Sequence, residues 1–167
     1  MDAPGLTDVT VSTTWNKAAT FATDLDLDLS ALSLTGQGTV PSDAEFVFFN
    51  NSESPSRAVL HRADPGGVLE TLGIALSATP STVAEIALVA TLYDEKGTFG
   101  LLRDATVTVS DRQLGTLAEF SLSESLGEHT AVHYGSLYRD GDRWLFRAVA
   151  DTYPGLAAVA RKFGVDV

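Results

Sequence analysis

An all-β fold is expected from this sequence, a two-sheet β-sandwich finished by a short C-terminal α-helix, and three observations predict it. Short apolar segments recur every 8 to 15 residues with turn-forming residues between them, a spacing that suits a sandwich better than a helical bundle. Tyr138-Arg139-Asp140-Gly141-Asp142-Arg143-Trp144 contains an Asp-Gly pair, which readily supplies the positive φ angles of a two-residue type I′ hairpin turn. A helical stripe with its end signals stands at the C-terminus: Leu156, Val159, Ala160 and Phe163 share one face, Arg161 and Lys162 suit the negative end of the dipole, and Gly164 is placed as the stop.

Along the chain, the strand segments are Thr7 to Trp15, Asp24 to Leu34, Glu45 to Phe49, Arg57 to Leu60, Leu69 to Leu76, Ala105 to Val109, Thr116 to Leu122, Ala131 to Tyr138 and Arg143 to Ala150. One segment reads two ways. Thr82-Val-Ala-Glu85 has the spacing of a capping box, and Ile86 to Tyr93 would continue it as a helix ending before Gly97. A buried central strand gives the same continuous apolar run, although the pattern alone favours the helix.

The chain has 167 residues, with 11 Lys+Arg against 22 Asp+Glu, a formal charge of −11. Its length suits one domain over 1–167, large enough to bury a core without a metal or a disulfide. The absence of Cys excludes disulfide scaffolds, thiolate metal sites and Cys nucleophiles. The longest apolar run, Ile86 to Leu92, is far short of the ~20 residues of a membrane span, so no direct membrane insertion is expected. MDAPGLTDVT has neither a basic n-region nor an apolar h-region, which makes a cytoplasmic location the expectation. A surface this acidic repels phosphate backbones, so nucleic acid is not an expected partner.

The acid is uneven. Asp24 to Glu70 holds eight acids against Arg57 and Arg62. Asp24-Leu25-Asp26-Leu27-Asp28-Leu29 alternates at period two, which on a strand puts three carboxylates on one face and three leucines on the other. Ser30, Leu32 and Leu34 continue the carboxylate face, so it turns apolar as the strand leaves a rim for the interior. Carboxylates crowded at such a rim raise one another's pKa unless donors or a cation balance them. The string is not an EF-hand: Leu29 stands where that loop needs Gly, and Thr35 where it needs a bidentate Glu. A cation site would draw on several loops, with Asn50, Asn51 and Asp64 as the further oxygen donors in suitable turns. A solvated acidic face is the plainer reading of the same residues.

Other constellations carry less. His61, His129 and His133 lack the spacing of a zinc site and read as structural or surface groups. The sequence has no G-x-S-x-G around Ser30, Ser33 or Ser136, and no ordered Ser, Asp, His set. Asp26 and Asp28 would lie ~7 Å apart on one strand, a spacing open to a carboxylate-based hydrolase, but Trp15 and Trp144 read as core and not as a sugar platform.

Asp24-Leu-Asp-Leu-Asp-Leu-Ser-Ala-Leu-Ser-Leu34, Ser42-Asp-Ala-Glu-Phe-Val-Phe-Phe-Asn-Asn51 and Ala58-Val-Leu-His61 with Asp64 together resemble the TerD family of tellurium-resistance and stress-response proteins. Phe99-Gly100, Gly135-Ser-Leu-Tyr-Arg139, Trp144-Leu-Phe-Arg-Ala148, Gly155-Leu-Ala157 and Phe163-Gly-Val165 look like its C-terminal pattern, in order as far as Val167. The resemblance implies a non-catalytic β-sandwich that binds Ca²⁺ in a loop cluster, and it makes Val83 to Tyr93 a strand. Carried over position by position, it makes Asp24, Asp26, Asp28, Asn50, Asn51 and Asp64 the metal ligands. Carboxylates with neutral amide or carbonyl oxygens suit Ca²⁺ better than Zn²⁺. This chain departs from the family where G-D-N reads Ala63-Asp64-Pro65, and where the Gly- and Asp-rich stretch shrinks to Gly66-Gly67-Val68-Leu69 with Glu70 as its remnant. The expectation is one Ca²⁺ site instead of two, ordering loops for a protein partner. The alternative is a metal-free acidic interaction module of the same fold.

Overall fold

The computed structural model describes residues 5–15, 26–63, 69–92, 97–122, 126 and 128–167. Asp24 and Asp64, two of the expected ligands, lie outside the described residues, as does Tyr93. Ten strands are described: β1 (Asp8–Thr14), β2 (Leu27–Leu34), β3 (Phe46–Val47), β4 (Val59–Ala63), β5 (Leu69–Ala75), β6 (Glu85–Leu92), β7 (Thr106–Asp111), β8 (Gly115–Ser121), β9 (Ala131–Asp140) and β10 (Arg143–Tyr153). Helix α1 (Leu156–Lys162) follows. They form two antiparallel five-stranded sheets, ordered β4-β5-β1-β7-β8 and β10-β9-β6-β2-β3. The expected all-β sandwich with a C-terminal helix is the observed architecture.

The sheets meet over one apolar core. Val9, Val11, Leu72, Ile74, Val107 and Val109 of the first sheet face Leu27, Leu29, Ile86, Leu88, Val132 and Leu137 of the second. Trp15 and Trp144 belong to this core, as the sequence suggested. A second cluster lies on the outer face of the β10-β9-β6-β2-β3 sheet, where Leu32, Leu34, Phe46, Ala87 and Val89 are covered by Val159, Ala160, Phe163 and Val165 from α1 and its C-terminal turn. That sheet is therefore buried on both faces around β2 and β6. This decides the ambiguous segment: Glu85–Leu92 is a strand between β2 and β9, not a helix. Burial on both faces removes the period-two signal and leaves the unbroken apolar run.

The helix ends as its sequence predicts. Gly164 has φ +89°, its N–H donates to the Arg161 carbonyl, and Val165 N–H donates to Ala160, the paired bonds of a Schellman motif. The β9–β10 hairpin also forms, with Asp140 opposite Arg143. Its turn differs in type. The loop residues are Gly141 and Asp142, and only Gly141 has positive φ, as a type II′ turn requires and a type I′ turn does not.

Candidate acidic site at the sandwich rim

β3 pairs with β2 only at Ala31 and Leu32, so the first half of β2 presents an edge. An edge N–H that enters the interior needs an acceptor. Glu70, at the start of β5 in the opposite sheet, supplies it: its Oε1 accepts the Leu29 N–H at 2.6 Å. The same oxygen accepts His61 Nε2–H from β4 at 2.5 Å. His61 sits opposite Leu72 in the β4–β5 ladder, which makes Glu70 its diagonal neighbour on the inward face.

Asp28 joins them. It is 5% exposed, on the face of β2 that continues through Ser30 to Leu32 and Leu34. Burial pushes its carboxyl up to about 8, with the negative charges of Glu70 and Asp26 adding to the shift. At neutral pH it therefore keeps its proton and hydrogen-bonds to Glu70. Ser30, next along this face, has a buried hydroxyl with no hydrogen-bond partner among the described residues, and so does Tyr134 on β9. Burial, and then the Glu70 charge, raise the Tyr134 phenol well above its ordinary value.

The expected ligands fall into three groups. Asp28 meets Glu70, and the exposed Asp26 acts on Asp28 through its charge. Asn50 and Asn51 lie in the turn that closes β3, where Phe48 and Asn51 exchange backbone hydrogen bonds. The Asn51 amide nitrogen is committed there, donating to the Ala44 and Phe46 carbonyls at 3.1 and 2.8 Å, so its side chain closes that turn. Asp24 and Asp64 are not described. Among the described residues no three His, Asp or Glu side chains close on one point that would hold a metal. What the site does offer is an all-oxygen carboxyl pair, shielded from water, in which a proton occupies a place that a hard cation can also take.

Glu70 is the residue that spacing did not single out as a ligand, and His61 read only as structural. Both signals are tertiary, because the carboxylate of β5 and the β2 edge belong to different sheets. A set of buried Ser136 and His133 with half-buried Glu85 also exists that the sequence did not reveal. Ser136 Oγ donates to Glu85 Oε2 at 2.7 Å and accepts from His133 Nε2 at 2.8 Å. The hydroxyl proton points to the carboxylate and the imidazole acts as donor, the reverse of what an activated nucleophile needs, and Ser136 is 0% exposed.

The TerD domain model matches residues 1–163 of this chain. The tellurium resistance protein TerD of Serratia marcescens is 36% identical over 98% of this chain and 91% of that protein. General stress protein 16U of Bacillus subtilis (strain 168) is 31% identical over the same shares. A solved structure of a protein of unknown function superposes with a TM-score of 0.80, covering 98% of this chain and 99% of that one at 22% identity, which supports the fold.

Proposed function

This chain belongs to the TerD family, and on that premise we propose that it is a non-catalytic stress-response protein, of the tellurium-resistance kind, whose rim site takes Ca²⁺. The observation that carries the reading is the Asp28 carboxyl, 5% exposed and set against Glu70, with the charge of Asp26 acting on it. Two desolvated carboxyls in contact need a positive charge between them, and a calcium ion with its long oxygen contacts supplies more of it than a proton does.

In this proposal Asp26, Asp28 and Glu70 contribute the carboxylates, Asp24 and Asp64 complete the charge, and the Asn50 and Asn51 turn provides neutral oxygens. Glu70 holds the β2 edge and His61 orients Glu70, so ion binding would tie β2 to the β4–β5 pair across the sandwich. The ordered loops would then present an acidic surface to a protein partner. A carboxylate hydrolase is less well supported. The pair expected for it is Asp26 and Asp28, and Asp28 is buried and hydrogen-bonded to Glu70, which closes it to a sugar or an attacking water.

Calorimetric titration of chelator-treated protein tests the reading. The expected result is saturable Ca²⁺ binding, at least tenfold weaker in Glu70→Gln and Asp28→Asn. Absence of heat and of any thermal shift at millimolar Ca²⁺ overturns it. The reading that would then stand is the metal-free interaction module, which is expected to keep its partner with calcium-insensitive melting.

A further inference from the structure

Two sheets have four edges, and three of these are guarded. β3 is two residues long. The outer side of β4 is taken by the chain that precedes it, through the Glu53–Leu60 bridge and the His61 N–H bond to the Ser52 carbonyl. β10 carries Arg143, Arg147 and Asp151, accepts the Leu6 N–H on its Trp144 carbonyl, and breaks step with β9 at Val149 and Ala150. Shortness, cover, charges and bulges are the devices that keep strand edges from pairing with foreign strands. β8 has fewer of them. Its seven residues hold one charge, Glu119, with no Pro and no Lys, and past a bulge at Leu117 it runs in step with β7 from Ala118 to Ser121. Among the described residues no strand pairs with its other side.

The core is left incompletely covered at the same edge. Leu117 and Phe120 of β8, Phe146 of β10 and Leu126 of the connection after β8 are half-buried hydrophobics packed against the core between the sheets. All four stand where β8 and β10 end their sheets. An open cleft of about 400 Å³ lies between those two strands, with Phe120 and Leu126 on one bank and the exposed Ala148 and Ala150 on the other. A strand laid along β8 turns alternate side chains toward this cleft. In such strand addition the main-chain bonds give affinity and the pockets for alternate side chains give specificity. Charge selects the occupant. From Gly115 to Thr130 the sequence has Glu119, Glu124 and Glu128 and neither Lys nor Arg, on a chain of −11. Glu119 is exposed on the outer face of β8, opposite Thr108. Opposite charge steers a partner in and like charge repels it, so a basic segment is favoured here over a second, equally acidic copy.

We propose that β8 is a docking edge for an extended basic segment of a partner protein, in which apolar residues alternate with Lys or Arg. The segment adds a strand beside β8. Its apolar side chains cover Phe120, Leu126 and Ala148, and its basic side chains lie on the outer face beside Glu119. The edge is on the opposite side of the sandwich from Asp28 and Glu70, so it is separate from the acidic rim.

The test uses the full chain in chelator, so that the result does not depend on the calcium reading, and three probes: a heptapeptide alternating Lys and Val, its counterpart alternating Glu and Val, and the Lys peptide with its central Val replaced by Pro. The Lys peptide is expected to bind saturably at one to one, with the Glu peptide at least tenfold weaker. The Pro form, equal in charge but unable to continue a ladder, should also lose at least tenfold. Amide shift changes on the wild-type protein should centre on β8 and on Ala148 to Ala150, with slowed amide exchange in β8. Ala148→Lys, which sets a cation over the cleft from an exposed position, should weaken the Lys peptide at least tenfold with the melting temperature held within a few degrees. Equal binding of the Pro form would assign the effect to general charge attraction and overturn the proposal, as would shifts centred on the acidic rim or a dimer of the chain joined through β8. If Ala148→Lys does not fold, the Pro form and the wild-type shift map decide.

Discussion

Asp28 is where one side chain most clearly sets the properties of the protein. Its carboxyl rises from 3.8 in the unfolded chain to about 8 in the fold, chiefly because it is buried. Below the unfolded value both states carry the proton and the native state loses nothing. As pH rises from about 4 to about 8, the unfolded chain gives up the proton while the native state keeps it. Stability then falls with pH through this group across that window, and the loss is complete above the folded value. An asparagine amide can donate to Glu70 as the protonated acid does, without this dependence. Asp28→Asn is therefore expected to melt roughly 5–10 °C higher than wild type at pH 8 in chelator and to show a flatter pH profile by differential scanning calorimetry. A lower melting temperature for the variant under those conditions contradicts the burial account. Asp28 was legible in the sequence because a period-two string of acids marks a strand face. Glu70 and His61 were not legible as its partners, because their approach depends on how the two sheets stack, and neither spacing nor composition encodes that directly.

Elements were legible where the local chemistry was self-sufficient. The Schellman end of α1 needs only Gly164 and its neighbours, and the β9–β10 hairpin needs only Asp140 to Arg143. The exact turn type escaped because the strands' register, not the Asp-Gly pair itself, decides which two residues form the loop. β6 was ambiguous for a different reason: α1, more than sixty residues further on, covers its outer face. Beneath that cover lies His133, which meets the Phe163 ring edge-on at 5.6 Å and hydrogen-bonds to Ser136. Burial lowers its pKa, against the opposing fields of Glu85 and Asp151, while Arg147 reinforces the shift. A His with a depressed folded value contributes stability that is intact above the ordinary value near 6.5 and is lost as pH falls through the folded value. Protonation adds charge beneath an apolar lid. Relative to the intrinsic exchange rate at each pH, protection of the amides of Val159, Ala160 and Phe163 is expected to fall between pH 7 and pH 5 more than protection in β1. His133→Asn should remove that difference. A uniform loss of protection across the molecule would assign the effect to global unfolding instead of to α1.

For the molecule as a whole, the decisive quantity is a charge of −11 on a chain whose acids crowd between Asp24 and Glu70. Two distinct effects follow, and salt separates them. General self-repulsion acts between exposed charges several ångströms or more apart, and it is screened as the Debye length shrinks from about 10 Å at 0.1 M to about 3 Å at 1 M. The Asp28 and Glu70 pair is held instead by a proton between the two carboxyls, which a cation can replace, at hydrogen-bond range inside the rim where salt scarcely reaches. Sodium chloride is therefore expected to raise the melting temperature and then level off. Calcium added on that plateau should raise it again, by about 2.7 kcal/mol at a hundredfold excess over Kd, which is roughly 5–10 °C for a chain of this size. Magnesium, which demands tighter octahedral geometry, should give a smaller second rise. The Asp28→Asn, Glu70→Gln double variant should keep the sodium response and lose the calcium one. If the calcium curve of the wild type instead falls on the sodium curve at equal ionic strength, the acids serve as a solvated face. The TerD fold of this chain would then act through that surface without a bound ion.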